Sequence, residues 1–206
     1  MIEKIQAQNG RDVLRYQGRL LASTFDPEAE ARAWVSRRPG FLDHVKAIFI
    51  LGAGSGYHIA ELARQTTARL VVVEHSPELA RAVIEIHGFQ PPKVRFEILA
   101  KPADLRSNDI IRDAVKNSFV VLTHPATRAC HPEFYAECER QFLARDWGSL
   151  NWQWQLKGHG SLDSQTQLSA DNASPLTIYD LEKTELSQNS EQRERMLIKA
   201  LRELVK

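Results

Sequence analysis

The stretch Ala47–Glu74, AIFILGAGSGYHIAELARQTTARLVVVE, decides the fold. An apolar run, Ala47–Leu51, meets the turn Gly52-Ala53-Gly54-Ser55-Gly56. An amphipathic segment follows, then a second apolar run, Leu70–Val73, closed by Glu74. This is the order of a strand, a glycine-rich turn, a helix and a parallel strand ending in a carboxylate. Gly52 permits a tight turn off the strand. Gly54 lets a ligand approach the backbone, because no side chain intervenes. Gly56 lets the helix pack close to the strand. The first turn of that helix offers unpaired N–H groups and the positive end of a dipole. Glu74 lies about 20 residues beyond the turn, where a carboxylate receives a pair of ribose hydroxyls. The competing reading is that the glycines serve only the turn, Glu74 is a solvated strand-end acid and the pocket is vestigial, since a fold does not by itself carry a function.

Downstream the alternation continues. Ser76 caps a helix with Pro77 in its first position, and Leu79, Ala80, Val83, Ile84 and Ile86 supply its buried side before Gly88 ends it. Val94–Leu99 reads as a third parallel strand, Ile110–Val115 as a crossover helix, Phe119–Leu122 as a buried strand and Pro132–Leu143 as a helix. In Leu150–Leu156, Leu150, Trp152, Trp154 and Leu156 alternate with Asn151, Gln153 and Gln155, which predicts a half-exposed antiparallel edge strand. Upstream, Ile2–Gln8 and Asp12–Gln17 flank Asn9-Gly10, a hairpin signal. Asp26-Pro27 opens a helix through Arg37 that Arg38-Pro39-Gly40 stops. The expected fold is α/β, a Rossmann-like, mostly parallel sheet with helices on both faces, a small N-terminal β-hairpin attachment and a C-terminal helix. The expected divisions are a hairpin region at 1–24, the Rossmann-like domain at 25–157, a polar linker at 158–189 and an amphipathic helix at 190–206. In that helix Met196, Leu197, Ala200, Leu201, Leu204 and Val205 form one apolar stripe. A helix this short is marginal alone. The stripe is expected to be buried either on its own domain or, with a slight preference, in a homodimer.

Length and charge set further bounds. The 206 residues suit one α/β domain with small attachments, and 27 basic against 26 acidic residues point to no nucleic-acid partner. Cys130 and Cys138 have poor spacing for a metal site and suggest a reducing compartment. The seven histidines form no HxxxH or CxxC-type cluster, so no metal is expected. No apolar run approaches the ~20 residues of a membrane span, and the first residues lack a signal-peptide pattern, so a cytoplasmic protein is expected.

The N-terminal half resembles the N-terminal region of the Maf proteins, the motility-associated glycosyltransferases of bacterial flagellin. The resemblance rests on Asn9-Gly10, on Leu21-Ala22-Ser23-Thr24-Phe25-Asp26-Pro27 with Glu30-Ala31, on Ile50–His58, on Val72-Val73-Glu74 with Pro77-Glu78-Leu79, and on His124-Pro125-Ala126. It covers roughly residues 1–145. Those proteins continue into a larger central domain thought to hold the sugar-nucleotide transfer site, which the 206 residues are expected to stop short of. The resemblance therefore implies the Rossmann-like module, with Gly52, Gly54, Gly56, Tyr57, His58 and Glu74, a sugar nucleotide as ligand and glycan-modification machinery as partner. It does not imply the transferase activity.

A second resemblance is to S-adenosylmethionine-dependent methyltransferases. It rests on the Gly-x-Gly-x-Gly turn, Glu74, Ala103-Asp104-Leu105 and Thr123-His124-Pro125. It implies S-adenosylmethionine as cofactor, Ala53 and Ser55 within the cofactor loop, Glu74 on the ribose, Asp104 near the adenine, and Thr123 and His124 facing the methyl group. Ile50 departs from that family's carboxylate before the first glycine, and His124 stands where an Asp or Asn usually ends strand four. His75 is read either as flanking an adenine or as a half-exposed loop residue. His124 is read either as an acid or base near neutral pH or as a hydrogen-bonded loop residue. Arg128 and His131 could bind an anion beside it. No nucleophile with a partnered base emerges, so catalytic residues stay unassigned.

Overall fold

A computed structural model describes residues 2–37, 42 and 44–158. These belong to one compact unit apart from Gly158. The chain begins with β1 (Ile2–Gln6), β2 (Asp12–Tyr16) and β3 (Arg19–Leu20), then α1 (Pro27–Ser36). The alternating core follows: β4 (Ala47–Leu51), α2 (Tyr57–Gln65), β5 (Arg69–Glu74), α3 (Pro77–His87) and β6 (Val94–Ile98). A 3-10 turn at Pro102–Arg106 leads to α4 (Asp109–Val115), β7 (Phe119–Thr123), α5 (Pro125–Arg128), α6 (Pro132–Phe142) and α7 (Trp147–Leu156).

β4 to β7 form one parallel sheet in the order β6-β5-β4-β7, with Ile50 opposite both Val72 and Leu122. Every residue of β4 is buried, because the strand period of two sends successive side chains to two covered faces. Ile48, Ile50, Leu70 and Val72 meet Ile59 and Leu62 of α2 and Leu79 and Val83 of α3. Phe49, Leu51, Val71 and Val73 meet Ile111 of α4 and Tyr135, Cys138 and Phe142 of α6. Each such side chain contributes about 1.5–3 kcal/mol on full burial. These two faces explain why the central strands read as unbroken apolar runs.

The helices start where their caps stand. Asp26 accepts from Glu28 N and Ala29 N at the head of α1, and Ser76 accepts from Leu79 N at the head of α3. Gly88 closes α3 at φ 64°, a conformation that glycine adopts without a Cβ penalty. From β4 the chain moves to β5 and β6 on one side, then crosses back to β7 on the other. The sheet order therefore reverses between β4 and β7, and a crevice opens at their carboxyl ends.

The expected hairpin is the first part of a three-stranded antiparallel sheet, β1-β2-β3, with Ile5 opposite Val13. Its Leu14 and Tyr16 join the core on the α2–α3 face.

One expectation fails. Residues 150–156 are not an edge strand but most of α7. Asp146 starts this helix by accepting from Ser149 N at 2.9 Å. Gln153 Nε2 donates to Gln141 O at 3.0 Å and Phe142 O at 2.7 Å, satisfying carbonyls at the end of α6. Trp152 and Leu156, one turn apart, pack on the core, and Trp154 is buried. The alternation misled because apolar side chains lie on more than one side of this helix, while the cap and the α6 carbonyls decide its backbone. The two thiols also lie apart in secondary structure: Cys130 follows α5 and Cys138 is inside α6, both free. The expected linker beyond Gly158 and the C-terminal helix with its dimer contact lie outside the described residues.

Candidate functional site

The turn after β4 is stitched into its surroundings by its own backbone. Gly52 N donates to Val73 O at 2.9 Å, and Gly56 N to Ala53 O at 3.0 Å. Ala53 N donates to Glu74 Oε2 at 2.8 Å, and Gly54 N to Thr127 Oγ1 at 2.9 Å. Ser55 Oγ accepts from Leu14 N of β2 at 3.0 Å, and Tyr57 Oη donates to Asp12 O at 2.7 Å. The N-terminal sheet is thereby fastened to the turn and to the head of α2. No side chain caps α2, whose N-cap is Gly56.

Close approach explains the glycines. A Cβ on Gly54, which sits at φ +55°, would stand 2.7 Å from Cε1 of His124. A Cβ on Gly52 would stand 2.6 Å from the Thr127 Cβ, and one on Gly56 2.6 Å from Nε2 of His87. His87 Nε2 itself lies 2.7 Å from Ser55 O. The side of Gly54 where a Cβ would stand thus faces the chain's own imidazole.

Glu74 is fully buried. Its Oε1 accepts from His75 N at 2.8 Å, Ser76 N at 2.9 Å and Tyr135 Oη at 2.8 Å. With Ala53 N on Oε2, the carboxylate joins β4, β5, α3 and α6. Burial pushes its pKa up, and the three backbone N–H groups and the Tyr135 hydroxyl oppose that shift. Burial and the Glu74 charge push the Tyr135 pKa up, keeping it a donor.

His124 follows β7 and caps the short α5. Its Nδ1 accepts from Thr127 N at 3.3 Å and lies 2.9 Å from Thr127 Oγ1. The ring stacks on His58, centroids 4.3 Å apart and planes 18° apart. Burial pulls its pKa down to about 4, so the ring is neutral near pH 7.

A cavity of about 270 Å³ lies at the reversal point between β4 and β7. Ser55, Tyr57, His58 and His124 line it from the sheet side, and Glu30 and Trp34 of α1 from the other, together with Leu20–Ser23. Gly52, Ala53, Gly54 and Gly56 hold the loop behind it. The remaining sequence-singled residues are elsewhere. His75 Nδ1 faces Leu99 O at 3.2 Å, and its ring packs on Phe134 and His131 at 4.6 Å each. Asp104 closes the 3-10 turn by accepting from Lys101 N at 3.1 Å. Thr123 lines a separate, shallow depression with Arg128 and Pro132.

Sequence reasoning missed Thr127, Tyr135, Glu30 and Trp34. Thr127 carried a readable signal, since His124-Pro125-Ala126-Thr127 has a cap residue, a first-position Pro and a hydroxyl at the capped amide. Tyr135 carried none, because only the tertiary fold brings α6 to Glu74. Among the described residues, no group of three or more His, Cys, Asp or Glu side chains could hold a metal ion. No helix among them is long and apolar enough to cross a membrane.

No family model matches the chain, and no curated protein matches it. Among solved structures, it is similar to the crystal structure of the N-terminal domain of EvdMO1 with SAH bound. Identity is 22% and the TM-score 0.30, over 52% of this chain and 56% of that one. The chain thus spans just over half the length of that neighbour, and a likeness this shallow says nothing about ligand or activity here.

Proposed function

We propose that the chain is a binding module for a nucleotide-type small molecule, held in the crevice between the ends of β4 and β7. The observation that carries this reading is the cavity of about 270 Å³ at the reversal point of the sheet, where open α/β sheets take their ligands. Its volume is near the lower end, about 300 Å³, of ordinary ligand clefts. Its walls join apolar groups and a tryptophan with a few polar ones, the usual make-up of such sites. The resemblance to Maf N-terminal regions suggests an accessory role in bacterial flagellin or surface-glycan modification, with a sugar nucleotide as ligand. The alternative ligand is S-adenosylmethionine, and the alternative activity methyl transfer. Isothermal titration with CMP-sugars, UDP-sugars and S-adenosylhomocysteine separates the two. Heat with a sugar nucleotide supports the first, and heat with S-adenosylhomocysteine alone the second.

A second reading has its own observation. Glu74 is buried and already accepts four hydrogen bonds from this chain, so a ribose would have to displace internal donors. On that reading the chain is a scaffold that keeps the fold and has closed the ribose site. Silence with all three ligand types would favour it and remove the binding reading.

A further inference from the structure

We propose that His124 is the specificity-determining donor of the crevice, locked by Thr127 into the tautomer that carries its proton on Nε2 and aimed at an uncharged acceptor such as a nucleobase carbonyl or ring nitrogen. The inference deepens the binding reading and rests on it. Its starting point is a backbone hydrogen, which the peptide plane places. The backbone N–H of Thr127 points at Nδ1 of His124, so Nδ1 must offer a lone pair. The Thr127 hydroxyl agrees with this. Its oxygen accepts from Gly54 N at 2.9 Å and lies 2.9 Å from the same Nδ1, so its own proton is free to point there. A neutral imidazole with Nδ1 as acceptor carries its proton on Nε2.

Nε2 has no hydrogen-bond partner among the described residues, and it is not among their fully enclosed polar atoms. The ring lines the cavity and is held in place by the Thr127 contacts and the His58 stack. A ring fixed in this way is a pre-oriented donor, and an unpaired donor favours a ligand that supplies an acceptor.

The chemistry of the walls narrows that ligand. A neutral His124 brings no positive charge. Glu30, whose Oε2 is engaged by Ser23 N at 2.6 Å, adds a carboxylate to the rim. Trp34, Pro27, Ala31 and Ala126 supply apolar surface. This suits the base end of a nucleoside better than a phosphate.

The test pairs a spectroscopic readout with a binding one. Long-range ¹H–¹⁵N correlation of the histidine rings at pH 7 should give the Nε2–H tautomer for His124. An Nδ1–H tautomer or an imidazolium would overturn the proposal whatever binds. Titration with uridine, cytidine, adenosine and inorganic phosphate then reads the ligand class. His124→Asn keeps the cap, because Oδ1 can replace Nδ1, and deletes the Nε2 donor. It should weaken the bound nucleoside about tenfold with the circular dichroism spectrum unchanged. Nucleoside affinity equal in both proteins would overturn the role of His124 and leave the binding reading intact. No nucleoside binding to the unaltered chain, with or without binding of phosphate, would overturn the assigned ligand class, and silence of the unaltered chain with the sugar nucleotides and S-adenosylhomocysteine as well would overturn the binding reading with it.

Discussion

Replacing Glu74 by Gln distinguishes a carboxylate that waits for a ribose from one that holds the fold. The two side chains have nearly the same shape, so the change acts through hydrogen-bond polarity. The glutamine oxygen can take the Oε1 position and keep His75 N, Ser76 N and Tyr135 Oη. Its NH₂ group must then face Ala53 N–H, which now donates to Oε2 at 2.8 Å. A charge-assisted bond worth about 1.5–3 kcal/mol is lost, and a buried donor is left without an acceptor at about 1–3 kcal/mol. The two costs overlap, so the expected loss is about 3–5 kcal/mol, a large share of the ~5–15 kcal/mol that holds a domain together. Urea denaturation followed by tryptophan fluorescence, with the slope held common to both proteins, measures it. A midpoint shift worth less than ~1 kcal/mol would refute the reasoning. Surface substitutions typically fall within ±0.5 kcal/mol, so a shift that small would mean that the Ala53 bond adds no more than a surface contact.

Three further outcomes are expected. Gly54→Ala should destabilise by about 2 kcal/mol or more, from the left-handed backbone penalty of ~1–2 kcal/mol and the 2.7 Å approach to His124; adding His124→Ala should recover part of the loss in a double-mutant cycle, and strict additivity would count against the contact. The His124 pKa is about 4 in the folded chain against 6.5 in a free imidazole, so the unfolded chain binds the extra proton first. Its contribution to stability should be whole above pH 6.5 and fade toward pH 4, by up to about 3 kcal/mol. Subtracting the denaturation curves of His124→Asn across this range isolates it, because His87 and His131, also shifted down, remain in both proteins; a flat difference would refute it. Asp146→Ala should remove the cap of α7 at a cost of about 1 kcal/mol and lower the helical circular dichroism signal; an unchanged signal and midpoint would mean that packing alone holds this helix.

The chain's own pattern determined the framework. Apolar runs at 47–51 and 70–73, each bounded by turn or cap residues, read as strands covered on both faces, and 94–99 and 119–122 continue the alternation as the edge strands. Asp26-Pro27, Ser76-Pro77 and Gly88 marked helix ends through local hydrogen bonds and backbone preference, which act over a few residues and are therefore written in a few residues. The fate of α7 was decided at longer range, where Gln153 reaches the carbonyls at the end of α6. The candidate site divides in the same way. The sequence located the glycine turn, Glu74 and His124 at the carboxyl ends of the strands. It could not say what fills the space between them. Tyr135 reaches Glu74 from 61 residues away and Thr127 reaches Gly54 from 73. These contacts surround Glu74 with internal donors and tie His124 to the glycine turn through Thr127. Spacing along the chain carries covalent order, whereas burial and the direction of a proton depend on what the fold brings alongside. Only the tertiary structure decides those.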